Sequence, residues 1–455
     1  MIFFVFSSTY AQVNNNYLGF WKSRGYGWII KIDNENIQFY DSNDQACVFN
    51  QTFPISFLQD KMKVDDNVLI IEQGVTKYWF DRIAQVPELC NKKWSKKELR
   101  DPILNFEFLW HTFNNQYAYF KERKVDWQAL NTKYRKQIDQ HTTDVELLVL
   151  CDAMLEELND GHVSIEASDK LMRKAAKLGN WDTRDDADFY GLRKQIIERY
   201  VTDPKAFNLS KVVWGKINDQ VGYLQLNSME TVADYGITPD MSAKEAKKLY
   251  VKAMSESNTP LKDLINGINS IMKKVVEDLK TTEHLILDLR FNGGGVDMVG
   301  LTALSYLINE EKEVFTKTHR VGDQYADSYN YILKPATKTY MGKLHILQSY
   351  WTASASEVLL LASKAYENIE RIGSPSEGIF SDILSKKLPN RWDFELSNQV
   401  YKDKEGISYE VIGIPVHKDL NYPKDPYKFV ENLKNELSTT NKDKAIEYVI
   451  RSFKK

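Results

Sequence analysis

The sequence predicts an α/β protein in consecutive parts, and three patterns predict it. Between residues 17 and 83, short runs rich in β-branched and aromatic residues (27–32, 37–40 and 68–71) are separated by turn-forming Asp, Asn and Ser, the signature of a small antiparallel β module. Further on, Phe106, Leu109, Trp110, Phe113, Tyr117 and Phe120 recur about one helical turn apart. From residue 211 strands alternate with helices, which calls for crossover connections and a mostly parallel sheet.

Taken in order, the β module occupies 17–90, and the stretch 86–91 with the basic run 92–97 reads as a linker. A helical domain follows over 95–208. Within it, Thr143-Asp144-Val145-Glu146 has the form of a capping box and opens a helix through Leu147, Leu148, Met154 and Leu155 to Leu158. That helix stops at Asn159-Asp160-Gly161, residue types that tolerate the left-handed conformation closing helices. His162 therefore falls on a turn before the alternating Val163-Ser164-Ile165. Residues 168–208 are polar, helical in pattern, and carry no assignable chemistry. The α/β core spans 209–425, with strands at 212–214, 221–226, 285–289, 344–347 and 370–372, and helices at 261–279, 299–308 and 354–365. Pro423 and Pro426 end it, and the tail 426–455 reads as a C-terminal helix.

Composition narrows the function. With 455 residues, 43% hydrophobic and 27% charged, the chain can fill a globular core. Its net charge of −3 lacks the basic excess of a nucleic-acid footprint, so no nucleic-acid partner is expected. No run approaches the roughly 18 apolar residues that span a bilayer, so no integral membrane segment is expected. Residues 2–6 are apolar, and Ser7-Ser8-Thr9-Tyr10-Ala11-Gln12 resembles the end of a secretory signal with cleavage after Ala11. Residues 1–16 are thus expected to be a clipped signal or disordered, and the protein exported to a periplasmic or extracellular space. The three cysteines fit no zinc spacing, and neither a metal nor another cofactor is expected. Cys151 reads as a buried small hydrophobe, and whether Cys47 and Cys90 are bonded is left open.

Three segments carry chemistry. Ser354, in Thr352-Ala353-Ser354-Ala355-Ser356-Glu357, opens an apolar helix, where unpaired N–H groups and the macrodipole stabilise negative charge. Serine is equally a preferred N-cap, and Ser356 competes for the reactive role. The second segment, Leu287-Asp288-Leu289-Arg290-Phe291-Asn292-Gly293-Gly294-Gly295, runs a strand into three glycines, whose backbone can approach a ligand and turn amides toward an anion. The third is Asp160-Gly161-His162. A serine nucleophile needs a base within hydrogen-bond reach. Of the seven histidines only His162 combines a turn with small neighbours, whereas His111 lies on an aromatic helix face and His141, His284, His319, His345 and His417 border strands, caps or charged loops.

These segments, with Gly373-Ser374-Pro375-Ser376-Glu377-Gly378, resemble in order and spacing the serine peptidases that include the C-terminal processing (tail-specific) proteases and the tricorn protease core, over about residues 105–419. The resemblance implies a crotonase/ClpP-like spiral core and a peptide or unfolded-protein substrate cleaved through an acyl-enzyme. The processing proteases pair their serine with a lysine in a Gly-Lys-Gly context, where this chain has Gly378-Ile379-Phe380. The similarity therefore lies with the tricorn-like Ser/His/Glu branch. It implies Ser354 as nucleophile, His162 as base and then acid, and Glu410, in Tyr409-Glu410-Val411-Ile412-Gly413, as the carboxylate. The oxyanion hole would use N–H groups of Gly294 and Ala355, with Gly293, Gly295, Asp160 and Gly161 in support. That branch has a hydroxyl residue before the histidine, where Gly161 stands here. A PDZ domain, expected in processing proteases at about 167–210, has no matching pattern. A decayed site that only binds ligand, or an esterase, are the alternatives on the same scaffold.

Overall fold

The computed structural model describes residues 14–181 and 187–452. Of the segment 1–16 expected to be a clipped signal or disordered, residues 1–13 lie outside them, whereas Asn15 and Asn16 belong to a short 3-10 helix, Asn15–Tyr17.

Seven antiparallel strands form the N-terminal sheet in the order Cys47–Pro54, Asn36–Ser42, Trp28–Ile32, Gly19–Ser23, Thr76–Ile83, Val68–Gln73 and Met62–Asp65. Every second residue of Asn36–Ser42 is buried, so one face closes on Trp21, Ile30, Ile37, Leu69 and Phe80. The hairpin turn between Val68–Gln73 and Thr76–Ile83 does something else. Gly74 takes a positive φ of 62°, and Val75 leaves its own module to pack in the α/β core. The segment expected to be a linker is anchored instead. Cys90, in the short helix Glu88–Asn91, is disulfide-bonded to Cys47, and Ser95 opens Lys96–Leu99 with a capping box.

Helix Pro102–Gln116 starts at Asp101, whose carboxylate accepts the N–H groups of Ile103 and Leu104. It ends before its apolar period does, because Tyr117 turns extended and Ala118 N–H donates to the Ser397 carbonyl. The Thr143–Glu146 capping box opens helix Asp144–Glu156, and Asn159 at φ 49° turns the chain afterwards. Strand Ser164–Glu166 then pairs with Asp393–Ser397, which fastens the His162 turn to the C-terminal half. The polar stretch beyond folds as helices Asp169–Gly179 and Phe189–Tyr200 and the strand Thr202–Phe207.

The central sheet runs Lys418–Asp419, Ile369–Gly373, Lys343–Gln348, His284–Asp288 and Val221–Leu226 in parallel, with Val212–Lys216 and Thr202–Phe207 added antiparallel. All six residues of Val221–Leu226 are buried because both faces are covered. Leu224, Leu287 and Ile346 pack on helix Pro260–Leu279, and Tyr223, Ile286 and Leu347 pack on the C-terminal helices. The tail is two helices, Pro426–Thr440 and Lys444–Ser452, broken at Asn441 with φ 61°. Arg290 locks the tail down. Fully buried, it grips Asp288 bidentately (Nε–Oδ1 3.0 Å, Nη2–Oδ2 2.6 Å) and reaches Asp443 at 2.7 Å.

Candidate active site

Strand Lys343–Gln348 feeds a turn that ends at Ser354, just before helix Ala355–Ser363. Ser354 has φ 53° and ψ −125°, a conformation L residues rarely hold. Its backbone is fixed from both sides: the N–H donates to the Ile379 carbonyl (3.1 Å), and the carbonyl accepts from Glu357 N–H (2.8 Å). The hydroxyl does not cap the helix, so the ordinary N-cap role is unfilled and Oγ stands free of it, half-buried. Ser356 is fully buried with Oγ 3.9 Å from Met229 Sδ, which leaves it no access to substrate.

The glycine turn lies directly against this serine. A Cβ on Gly294 (φ 106°) would sit 2.7 Å from Ser354 Cβ and 2.9 Å from Ala355 N, so only glycine fits. Gly295 is held by Met229, and Gly293 is exposed with open space beside it. The two oxyanion donors implied by resemblance differ in state. No acceptor among the described residues takes the Ala355 N–H, whereas the Gly294 N–H donates to Asn292 Oδ1 at 2.9 Å. Of the glycine amides, that of Gly295, which lines a cleft together with Ser354, also has no acceptor among the described residues.

His162 is buried on its turn, with its backbone N–H donated to Asp160 Oδ1 (3.0 Å). Its Nδ1 is buried without a partner among the described residues. Burial pushes its pKa below the usual imidazole value, while Asp160 and the Ser381 backbone pull the other way, which favours the neutral form a base requires. His162 and Ser354 meet the same segment. Ile379 receives the Ser354 N–H, Gly161 lies against the Ile379 side chain, and Ser381 adjoins the imidazole. No hydrogen bond joins Ser354 Oγ to His162 among the described residues.

Glu410 is buried on a turn strained by Val411 at φ 72°. Its Oε2 accepts Phe380 N–H at 2.8 Å, and its Oε1 accepts Arg123 Nη2 at 2.6 Å. It makes no bond to the imidazole. Arg123 forms the connection instead: it also donates to the Asn159 carbonyl, and its Nε lies 3.4 Å from Asp160 Oδ2, which accepts Tyr117 Oη at 2.8 Å. Burial and Asp160 push the Glu410 pKa up to about 8 against the pull of Arg123 and Phe380 N–H.

Sequence reasoning missed Arg123 and Glu357. Arg123 sits in a turn without periodicity, so nothing in its context marks it. Glu357, three residues after Ser354, has capping-box spacing, but its carboxylate turns away and accepts Gly378 and Ile379 N–H, each at 2.7 Å. It thereby braces the segment on which Ser354 and His162 converge, at the position where the processing proteases carry their lysine. Its own pKa is pushed up to about 8 by burial.

Residues 220–419 match peptidase family S41, and residues 104–156 match the tricorn protease C1 domain. The S41 match covers the central α/β part of the chain. The chain is accordingly a serine-type peptidase with peptide or protein as its substrate. The fold of the chain is shared with a solved protein from Parabacteroides merdae ATCC 43184 (20% identity, 77% of this chain and 95% of that one, TM-score 0.57). It is also shared with mature CPAF (11% identity, 74% and 96%, TM-score 0.51). No curated protein matches the chain in sequence.

Proposed function

We propose that this peptidase cleaves peptide bonds through an acyl-enzyme with Ser354 as nucleophile and His162 as base. The observation that carries the reading is the Ser354 turn itself: an uncapped hydroxyl held at positive φ, at a helix N-terminus, against a glycine that must be glycine. In the first step Ser354 Oγ attacks the scissile carbonyl carbon and its proton passes to His162. The oxyanion is met by Ala355 N–H and a glycine-turn amide, donors that each contribute about 100- to 1,000-fold in rate. Collapse breaks the C–N bond, and the amine leaves with the proton from His162. Water, deprotonated by His162, then hydrolyses the Ser354 ester. Glu410 acts at one remove in this scheme, keeping Arg123 on Asp160 and hence the His162 turn in place. Ser354 and the His162 turn both meet one braced segment, and catalytic hydrogen bonds commonly close only once substrate is bound.

A fluorophosphonate probe tests the scheme: it should label Ser354, labelling should vanish in Ser354→Ala and fall at least about 100-fold in His162→Ala. A folded wild-type chain that resists the probe would favour the ligand-binding alternative. The Cys47–Cys90 disulfide supports export to an oxidising compartment. Mass spectrometry of protein isolated from its host checks this, and a free pair of thiols would remove the support.

A further inference from the structure

A cleft of about 440 Å³ opens beside Ser354, roofed by the hairpin turn that the N-terminal module sends into the core. Its lining mixes apolar side chains, among them Val75, Leu264, Met298 and Phe380, with polar ones, and its two carboxylates, Asp297 and Asp382, sit together against Tyr401 Oη. The lining described holds no Lys, Arg or His.

Behind the carboxylates lies one cation. Lys317 Nζ, fully buried, donates to Asp382 Oδ2 (2.7 Å), Thr76 Oγ1 (2.5 Å) and Tyr401 Oη (2.6 Å), which uses all three of its protons. Tyr401 Oη contacts Asp382 Oδ1 (2.5 Å) and Asp297 Oδ2 (2.8 Å), but a single hydroxyl proton satisfies only one of them. One ammonium faces two carboxylates, so with both ionised this part of the cleft keeps a net negative charge. Asp382 is drawn below the usual carboxylate range by Lys317, while burial and Asp382 push Asp297 up to about 7.

We propose that this cleft is the subsite for a lysine or arginine side chain of the peptide substrate. The aliphatic stem lies along the apolar side chains, and the charged tip meets Asp297 and Asp382. Such a side chain is apolar along its length and cationic only at its end, and the cleft offers apolar side chains together with two carboxylates gathered in one place. The wall contributed by Val75 and Thr76 gives the N-terminal β module a role in substrate selection. A cation placed there also replaces the missing proton donor of the Asp297–Tyr401–Asp382 contact. The remaining groups facing Asp297 are Tyr78 and Tyr329, whose hydroxyls stay neutral, and Tyr331. Selectivity is therefore strongest above pH 7 and weakens below it as Asp297 takes up a proton.

The placement next to the scissile bond rests on Ser354 as nucleophile, but the subsite itself is tested by binding alone. Calorimetry on full-length Ser354→Ala would compare Ac-Ala-Ala-Lys-Ala-Ala-NH2 with its norleucine counterpart, which keeps the stem and lacks the charge. The lysine peptide is expected to bind about 10-fold tighter or more, and the ratio to fall toward one in Asp297→Asn, a change that leaves the Lys317–Asp382 pair intact. Equal or tighter binding of the norleucine peptide, or a ratio unchanged in Asp297→Asn, overturns the proposal. Benzamidine serves as a second probe on the unmodified sequence: competitive displacement of the lysine peptide is expected, and failure to displace it also counts against the subsite. A wild-type chain that keeps the lysine preference but resists the fluorophosphonate would lose the catalytic reading and retain the subsite.

Discussion

Two buried arginines each bridge two carboxylates in this molecule, and they are built differently. Arg290 is saturated: its bidentate grip on Asp288 and its bond to Asp443 tie the end of a central strand to the C-terminal helices. Arg123 is outnumbered. It stands between Asp160 and Glu410 with Glu377 close by, its Nε has no hydrogen-bond partner among the described residues, and burial raises the pKa of both Glu410 and Glu377. A saturated buried ion pair is a fastener, whereas one with spare carboxylate capacity can exchange protons and shift position. The peptidase places the first kind under its sheet and the second kind behind its histidine.

The largest effect expected from this contrast is at Arg290. Replacing it with Met strands Asp288 and Asp443 without their cation, which costs about 3–5 kcal/mol. Urea denaturation should show that loss, and amide exchange should show Lys444–Ser452 released first; a loss below about 1 kcal/mol would mean that apolar packing alone fastens the tail.

At Arg123 the effect should appear in rate more than in stability. Arg123→Lys keeps the charge but cannot span Glu410, Asp160 and the Asn159 carbonyl together, so kcat should fall about 10- to 100-fold with KM little changed. A pure stability defect with normal kcat would place Arg123 with Arg290 as a fastener.

The contrast also explains what was legible in the sequence. The strand and helix alternation after residue 211, the glycine turn and Ser354 are local patterns, each carried by a short run of residues, and they read correctly as structure. The apolar period of Phe106 to Phe120 outruns its helix because Tyr117, buried, and Phe120, half-buried, still pack on the same core after the backbone has left the helix, and periodicity cannot tell the two situations apart. The single C-terminal helix was broken by Asn441, a residue type that tolerates positive φ but does not require it. The Arg123 bridge, the Glu357 brace and the Lys317 cluster escaped because each joins segments remote in the chain: Thr76, Lys317, Asp382 and Tyr401 come from four such places. Charge pairs of this sort leave no period and no spacing.

Titration separates the two regions further. Glu357 and Glu410 both have folded-state pKa values raised to about 8, above those of an unfolded chain, so their contribution to stability is full below about pH 4.5 and is lost as pH rises through 8. The wild-type chain is expected to lose on the order of 1–3 kcal/mol between pH 6 and 9, and Glu357→Gln should flatten that slope. Activity should move the opposite way, rising through about pH 8 as Glu410 ionises, and Glu410→Gln should remove this limb. Denaturation curves and kcat/KM across the same pH range check both, and parallel trends in the two would defeat the account.

The smallest effect tests whether the arginine bridge has replaced the hydroxyl that the tricorn-like branch carries before its histidine. In Gly161→Ser the new Cβ would meet Ile379 Cδ1 at 2.8 Å, the far end of a flexible side chain that can swing aside. Stability should therefore fall by less than about 1 kcal/mol. Asp160 already holds the His162 backbone N–H, and Arg123 already ties Asp160 to Glu410, so a serine hydroxyl adds an orienting contact where one is supplied. With Arg123 intact, kcat should stay within about threefold of wild type; in the Arg123→Lys background the same serine should recover part of the lost rate, because the two devices then act on one imidazole and their effects cannot be additive. Strict additivity of the two substitutions would show that the bridge and the histidine are energetically separate, and Arg123 would then have to be explained by folding alone.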